Sequence, residues 1–202
     1  MNVAGAVLAG GAARRYGGTP KGLLSVGDRR ILDRVVDTVQ AATGASPLLI
    51  ANAPDARFWR PNLTTIPDVR PGFGTLGGIY TAVSARAPVL CVAWDMPFIP
   101  QQLLRMLVDR MAAGTFDAVL PESSGRRGLE PLCAVYGRAC APAIAKRLES
   151  GDLRAIAFHA DVRVDIVPLA QVRGLGDPEE LFFNVNTPED LARAEALWRR
   201  RG

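Results

Sequence analysis

Residues 3–22 read VAGAVLAGGAARRYGGTPKG, an apolar run that passes into a loop rich in glycine and then into basic residues. The run Val3–Leu8 predicts a buried strand, which the pair Gly10 and Gly11 ends. Glycine tolerates positive φ and leaves backbone N–H groups open to a ligand, because no side chain stands between them. The segment therefore predicts a phosphate-binding loop. The alternative is a flexible connection between a strand and a helix.

Two basic side chains strengthen the phosphate-binding interpretation. Arg15 can bind a phosphate through two N–H groups of its planar guanidinium, and Lys21 can neutralise phosphate charge as a point charge. The alternative is chance, because the chain is rich in arginine: of its 24 lysines and arginines, only Lys21 and Lys146 are lysines. The loop is not of the Walker A type, since Lys21 is followed by Gly22 and not by serine or threonine.

Outside this loop, short apolar runs alternate with segments of helical periodicity, which is typical of α/β proteins with a mostly parallel sheet. The predicted strands are Val3–Leu8, Pro47–Ala51, Leu63–Ile66, Val89–Trp94, Phe116–Leu120, Leu132–Tyr136 and Val162–Val167. The predicted helices cover residues 30–42, Leu76–Ala85, the segment after Pro100, Ala141–Leu148 and a final segment that Thr187 and Pro188 open. No repeat or linker interrupts the pattern, so we predict a single domain over residues 1–202.

The composition excludes several classes of protein. Hydrophobic residues make up 49% and charged residues 22% of the 202, which rules out an intrinsically disordered chain. One histidine and three cysteines are too few for a four-ligand zinc finger or a disulfide scaffold. A Ser-His-Asp or Cys-His mechanism would depend on His159, which has no acid or nucleophile pattern nearby and is interpreted as structural.

The net charge of +4 and pI of about 9.3 are weak evidence for nucleic-acid binding. Aromatic residues are only 6%, and Arg199, Arg200 and Arg201 supply most of the excess charge. A modest positive field suits a small anionic substrate. No apolar run approaches the roughly 20 residues of a membrane helix, and no basic residue precedes the apolar N-terminal stretch. We expect a cytoplasmic protein that binds neither nucleic acid nor membrane.

A second glycine cluster, Gly72–Gly77, matches the G-x-G-x-x-G pattern of dinucleotide-binding folds, and Asp95 follows at about the right distance. Pro67 and Pro71 interrupt the approach, however, whereas that pattern follows directly on a strand. The match therefore supports an NAD-binding oxidoreductase only as a remote alternative.

Several polar side chains stand where predicted strands end. Asp95 follows a strand that reads as fully buried and is a candidate magnesium ligand, although it can also cap the turn that follows. Asp68 is a similar acid, with Arg70 close enough to be merely its ion pair. Asn184 and Asn186 alternate along an extended stretch, so they can present amides to one ligand or serve as turn and cap residues.

Several segments of the sequence resemble a known family. Leu8-Ala9-Gly10-Gly11, Arg15 and Lys21-Gly22-Leu23-Leu24 resemble the signature of the nucleotidyltransferases with a Rossmann-like fold. Three further segments narrow the resemblance to the molybdenum cofactor guanylyltransferases, over nearly the whole chain. They are Gly74-Thr75-Leu76-Gly77-Gly78-Ile79, Asp95-Met96-Pro97-Phe98 and Phe183-Asn184-Val185-Asn186-Thr187-Pro188-Glu189-Asp190-Leu191.

The resemblance implies a three-layer fold of the nucleotide-diphospho-sugar transferase type. The implied reaction is transfer of GMP from GTP to the terminal phosphate of molybdopterin, with release of pyrophosphate. Residues 1–115 would form the nucleotide-binding half and residues 116–202 the acceptor-binding half. Other cofactor-biosynthesis proteins and molybdoenzyme chaperones are further partners that such a role allows.

The resemblance also implies the site residues. The catalytic residues would be Arg15, Lys21 and Asp95, with Asp95 the ligand of Mg²⁺. The nucleotide would contact Leu8, Ala9, Gly10, Gly11, Lys21, Asn52, Asp68, Gly78 and Asp95. The acceptor would contact Arg154, Asn184 and Asn186.

Two positions depart from the family pattern, because Tyr16 stands where methionine is common and Thr75 where proline is frequent. Thr75 bears on the base pocket, so a molybdenum cofactor cytidylyltransferase or another small-molecule nucleotidyltransferase stays an alternative. Such a reaction needs no histidine, because an attacking phosphate is already ionised and requires only charge neutralisation and placement.

Overall fold

A mostly parallel sheet crosses the middle of the molecule in the computed structural model, which describes residues 2–10, 20–125 and 128–201. The strands are β1 (Ala4–Leu8), β2 (Ser25–Val26), β3 (Arg29–Arg30), β4 (Leu48–Ile50), β5 (Thr65–Ile66), β6 (Val89–Ala93), β7 (Ala118–Pro121), β8 (Cys133–Tyr136) and β9 (Val164–Val167). Seven of these strands form the sheet within the described residues, in the order β5-β4-β1-β6-β8-β7-β9.

Strand β1 lies in the middle of the parallel part. Val7 pairs with Leu49 of β4 on one side and with Val92 of β6 on the other, and all three are buried. Parallel strands end at a common edge, so the segments that follow β1, β4 and β6 meet there. Ala9 and Gly10, Asn52 and Asp95 are brought together in this way.

The sheet changes direction at β8, which pairs antiparallel with both β6 and β7, whereas β7 and β9 are parallel. The prediction of a mostly parallel sheet is confirmed. The predicted halves of the chain share this sheet, because β8 of the second half pairs directly with β6 of the first. The single domain and its division at residue 115 stay predictions.

Helices cover both faces of the sheet and complete three layers, as predicted. They are α1 (Ile31–Thr43), α2 (Gly74–Arg86), α3 (Gln101–Ala113), α4 (Cys140–Ser150), α5 (Leu169–Arg173), α6 (Pro178–Leu181) and α7 (Pro188–Arg201). One apolar cluster joins α1, α3 and α7 to one face, and a second joins α2 and α4 to the other. Val35, Leu103 and Leu197 represent the first cluster, and Ile79 and Ile144 the second.

Most predicted elements are present, with boundaries that shift by one or two residues. Phe116 lies outside β7 with its surface 39% exposed, so the strand predicted from that residue begins only at Ala118. Helix α2 begins at Gly74, before the predicted Leu76. The turn into it uses positive φ of 89° at Gly72 and 57° at Gly74, which glycine adopts without strain.

The β2–β3 hairpin and the short helices α5 and α6 were not predicted, because none is long enough to show a hydrophobic period. Contacts from distant residues hold them instead. Gly27 turns the hairpin with φ of 63°, and a Cβ there would overlap the ring of Trp198. The carboxylate of Glu122 accepts a hydrogen bond from the N–H of Leu169 at the start of α5, at 2.6 Å. Within the described residues, no helix is long and apolar enough to cross a membrane.

Candidate active site

A cleft of about 480 Å³ opens at the edge where β1, β4 and β6 end. Its wall combines the end of β1, the segments that follow β4, β5 and β6, and the first turn of α2. It contains eight of the residues predicted for nucleotide binding or catalysis: Leu8, Ala9, Gly10, Lys21, Asn52, Asp68, Gly78 and Asp95. Topology explains this grouping, because residues far apart in sequence follow neighbouring parallel strands.

An ion pair stands in the wall of this cleft. The ammonium of Lys21 donates to Oδ2 of Asp95 and, at 2.7 Å, to Oδ1 of Asn186. The side chains of Lys21 and Asp95 are only 16% and 8% exposed, so water screens their charges weakly. An ammonium carries three hydrogens, so one remains for a further acceptor such as a phosphate oxygen.

The position of Lys21 depends on the close packing of the next residue, Gly22, against Trp94. Lys21 begins a single 3-10 turn that ends at Leu23, and the next residue, Gly22, is buried against the indole of Trp94. A Cβ at Gly22 would overlap that ring. Trp94 in turn stacks on Trp59, with ring centroids 5.1 Å apart and an interplanar angle of 17°. No pattern in the sequence indicated this support, although Trp94 directly precedes Asp95.

Asp68 and Asn52 form a reciprocal pair at the cleft wall. The amide of Asn52 donates to the carboxylate of Asp68 at 2.7 Å, and its oxygen accepts from the Asp68 N–H at 2.8 Å. Arg70 instead lies 3.7 Å from Glu149, so it is not the ion-pair partner of Asp68. Gly78 approaches this pair closely, because a Cβ there would lie 3.8 Å from Oδ1 of Asp68.

The donor set fits a divalent cation at Asp95. Its Oδ1 atom is buried and has no hydrogen-bond partner among the described residues. Those residues contain no group of three or more acidic, histidine or cysteine side chains that could hold a metal by itself. Magnesium is commonly bound by one or two carboxylates together with substrate phosphates, so a single aspartate is enough in a nucleotide site.

The three predicted acceptor residues do not line one common cleft. Asn184 lines a second cleft of about 380 Å³, together with Glu130, Phe183 and Arg193. Asn186 contacts Lys21, and the N–H of the intervening Val185 donates to the Asp95 carbonyl at 2.9 Å. The two asparagines therefore flank the backbone that borders Asp95.

Arg154 lines neither of these clefts. Its side chain is 77% exposed and pairs with Asp152 at 2.7 Å, and this hydrogen bond lowers the pKa of Asp152 to about 2. Arg15 and Gly11, which were predicted for the phosphate loop, lie outside the described residues, as does Tyr16.

The second glycine cluster belongs to the first cleft. Gly72, Gly74 and Thr75 line the same wall as Asp95. The match to the dinucleotide pattern therefore lies in the wall of the first cleft.

The thiols and the imidazole stand apart from this chemistry. Burial raises the pKa of Cys91, Cys133 and Cys140, the last to about 12, so none is a thiolate nucleophile near neutral pH. His159 packs edge-on against Phe158, with ring centroids 4.7 Å apart, and burial lowers its pKa to about 4. Neither ring nitrogen has a hydrogen-bond partner among the described residues.

His159 makes a testable contribution to stability. The folded protein keeps the imidazole neutral, whereas the unfolded chain takes up a proton near the ordinary pKa of 6.5. Stability should therefore be complete above pH 6.5 and fall as the pH drops toward 4. In urea unfolding, the wild type should lose about 1 kcal/mol more than His159→Phe between pH 7 and pH 5, after allowance for partial exposure. Parallel pH profiles of the two proteins would contradict this role.

The fold and the site together define a nucleotidyltransferase: parallel strands end at a cleft that Ala9 and Gly10 line after β1, together with Lys21 and Asp95. The chain belongs to the family of the MobA-like NTP transferase domain, whose model matches residues 5–164, and within it to the molybdenum cofactor guanylyltransferases. The resemblance found in the sequence motifs is thus confirmed.

Relatives support this membership over almost the whole chain. It is 35% identical to a probable molybdenum cofactor guanylyltransferase of Pelotomaculum thermopropionicum, covering 98% of this chain and 94% of the relative. It is 36% identical to the molybdenum cofactor guanylyltransferase of Mesorhizobium japonicum, covering 97% and 96%. The crystal structure of molybdopterin-guanine dinucleotide biosynthesis protein A from Archaeoglobus fulgidus has the same fold, with a TM-score of 0.82 at 24% identity over 98% and 100% of the two chains.

Proposed function

We propose that this chain transfers GMP from GTP to the terminal phosphate of molybdopterin. A phosphate oxygen of the acceptor forms a bond to the α-phosphorus of GTP, and the bond from that phosphorus to the β-phosphate bridge breaks. The products are the guanine dinucleotide cofactor and pyrophosphate. The observation that carries the proposal is the weakly screened Lys21–Asp95 pair in the cleft, in a chain that belongs to this family.

The residues of the cleft suit this reaction. The acceptor phosphate is already ionised, so no histidine base and no nucleophilic side chain is required. Lys21 can turn its remaining N–H toward the phosphates and offset their charge. Membership of the family suggests a divalent metal, and we propose Mg²⁺ held by Asp95, which when bound would neutralise charge on the triphosphate. The chain itself contributes placement and electrostatic stabilisation.

The second cleft is the proposed location for the body of the acceptor. The strip from Asn184 to Asn186 borders Asp95 through the Val185 hydrogen bond, and Asn184 faces the second cleft. An acceptor whose phosphate binds beside Asp95 can therefore extend along residues 184–186 into the second cleft. Arg154 stays a proposed acceptor residue as well, and to act it must exchange its bond to Asp152 for one to the acceptor.

GTP, molybdopterin and Mg²⁺ are the proposed ligands. A cytidylyltransferase remains the second candidate, because we place the base near Thr75, where the cleft wall departs from the family pattern. Partner proteins of cofactor biosynthesis, the absence of nucleic-acid and membrane partners, and a cytoplasmic location stay predictions.

Thermal melting with a panel of nucleotides tests the proposed function without the pterin. A ligand that binds only the folded state stabilises it by mass action, so GTP with Mg²⁺ at about 100 times its Kd should raise Tm by roughly 5–10 °C. CTP, ATP and NAD should give smaller shifts, and omission of Mg²⁺ should reduce the GTP effect.

The order of the shifts separates the alternatives. A shift led by CTP would favour the cytidylyltransferase. A shift led by NAD and insensitive to magnesium would contradict nucleotidyl transfer and favour an oxidoreductase.

A further inference from the structure

Asn186 contacts the proposed catalytic lysine, Lys21, and does not line the second cleft. Its side-chain oxygen accepts from Lys21 at 2.7 Å, across 165 positions of sequence, whereas Asn184 lines the cleft proposed for the acceptor. Asp95 is the other acceptor for the ammonium, but the proposed function also gives that carboxylate to a cation. A neutral amide oxygen has no such second task, so it can hold the lysine throughout the reaction.

Asn186 is in turn held by the start of helix α7. The carboxylate of Asp190 accepts hydrogen bonds from the N–H groups of Asn186 and Thr187, both at 2.9 Å, while the hydroxyl of Thr187 accepts from the Asp190 N–H at 3.2 Å. This reciprocal arrangement is a capping box with aspartate in the place of the usual glutamate. With the bond from Val185 to the Asp95 carbonyl, it fixes the backbone on both sides of the Asn186 side chain.

We propose that Asn186 and Asp190 are positioning residues for Lys21: Asp190 fixes the backbone of Asn186, and Asn186 fixes the ammonium that meets the phosphates of GTP. This assigns Asn186 to the nucleotide side of the reaction instead of the acceptor side. The inference rests on the proposed function only in the role of Lys21. The lysine side chain is a flexible chain of four carbons. Without a fixed hydrogen-bond partner, its ammonium would spend much of its time away from the phosphates.

A double-mutant cycle on GTP affinity tests the inference. Asn186→Ala should weaken GTP binding by about tenfold, because it removes a hydrogen bond to a charged group. In a Lys21→Met background the same replacement should have no further effect, since a residue that acts through the lysine loses its influence with it. Asp190→Ala should follow the same pattern, and Asp190→Asn, which keeps an acceptor oxygen, should restore most of the affinity.

Asp177→Ala is the matched control for the loss of a helix cap. The carboxylate of Asp177 accepts from the N–H of Glu179 at 2.9 Å at the start of α6, so its loss should lower Tm as much as Asp190→Ala does. GTP affinity should stay within about twofold of wild type, a change at the level of experimental scatter.

The outcomes separate two kinds of failure. Equal losses from Asn186→Ala with and without Lys21, or an equal loss from Asp177→Ala and Asp190→Ala, would overturn the inference. If Lys21→Met itself leaves GTP affinity and transfer unchanged, the role of the lysine in the proposed function is wrong, and the inference falls with it.

Discussion

Asp95→Asn is expected to reduce GMP transfer by about 10³-fold, since it removes the charge that would hold a cation against the reacting phosphates. Binding of GTP in the absence of metal should not fall with it. The amide no longer attracts the ammonium of Lys21, which becomes more available to the phosphates. Steady-state transfer and calorimetric binding of GTP, each with and without Mg²⁺, measure the two effects separately.

A loss of folding must be distinguished from a loss of chemistry in this variant. The ion pair of Asp95 is weakly exposed, but Lys21 retains Asn186, so the expected cost in stability is about 1–2 kcal/mol. Asp165→Asn is the matched control, because it breaks an ion pair with Arg110 at 2.9 Å in another part of the sheet. A similar fall of Tm in both variants with transfer lost only at Asp95 supports the assignment. Metal-dependent transfer that survives in Asp95→Asn refutes it.

Gly22→Ala is expected to impair both folding and catalysis, although it adds a single methyl group. The new Cβ would overlap the indole of Trp94, which is also stacked on Trp59. Overpacking of this kind costs about 1–3 kcal/mol, which lowers Tm by roughly 2–12 °C in a domain of this size. The 3-10 turn that begins at Lys21 must shift, and a displacement of about 1 Å at a catalytic group can cost 10²-fold in rate.

Relief of the overlap provides the control. Trp94→Leu removes the ring and so makes space for the methyl group at position 22, although it also loses the stacking on Trp59. The double variant Gly22→Ala, Trp94→Leu should be more stable than the sum of the two single effects predicts, because the two residues are in contact. Additive losses of stability, or a Gly22→Ala protein with wild-type Tm and activity, would show that Gly22 does not position the lysine.

The sequence alone determined the class of fold and, through the family resemblance of its motifs, eight of the residues that line the first cleft. Val3–Leu8 is apolar on both faces of the strand, which only a buried parallel strand satisfies, and Asp95 follows a strand of the same kind. Strand ends of this type meet at one edge, so Asp95 and the end of β1 could be assigned to one site from the sequence, whereas Asn52 and Gly78 followed only from the family resemblance. The local hydrophobic pattern was enough to predict these strands and their ends, because the elements are long and regular.

Only the tertiary structure shows how Lys21 is held and which contacts each of the two asparagines makes. The contacts of Lys21 cross 74 positions to Asp95 and 165 to Asn186, and no local pattern encodes pairings at such distances. The expectation that Asn184 and Asn186 share a face, where they can meet one ligand or serve as turn and cap residues, assumed a regular extended segment. In the structure the bond from Val185 to Asp95 and the cap from Asp190 set that backbone. Side-chain direction in an irregular segment follows from such long-range contacts, which exist only once the chain has packed.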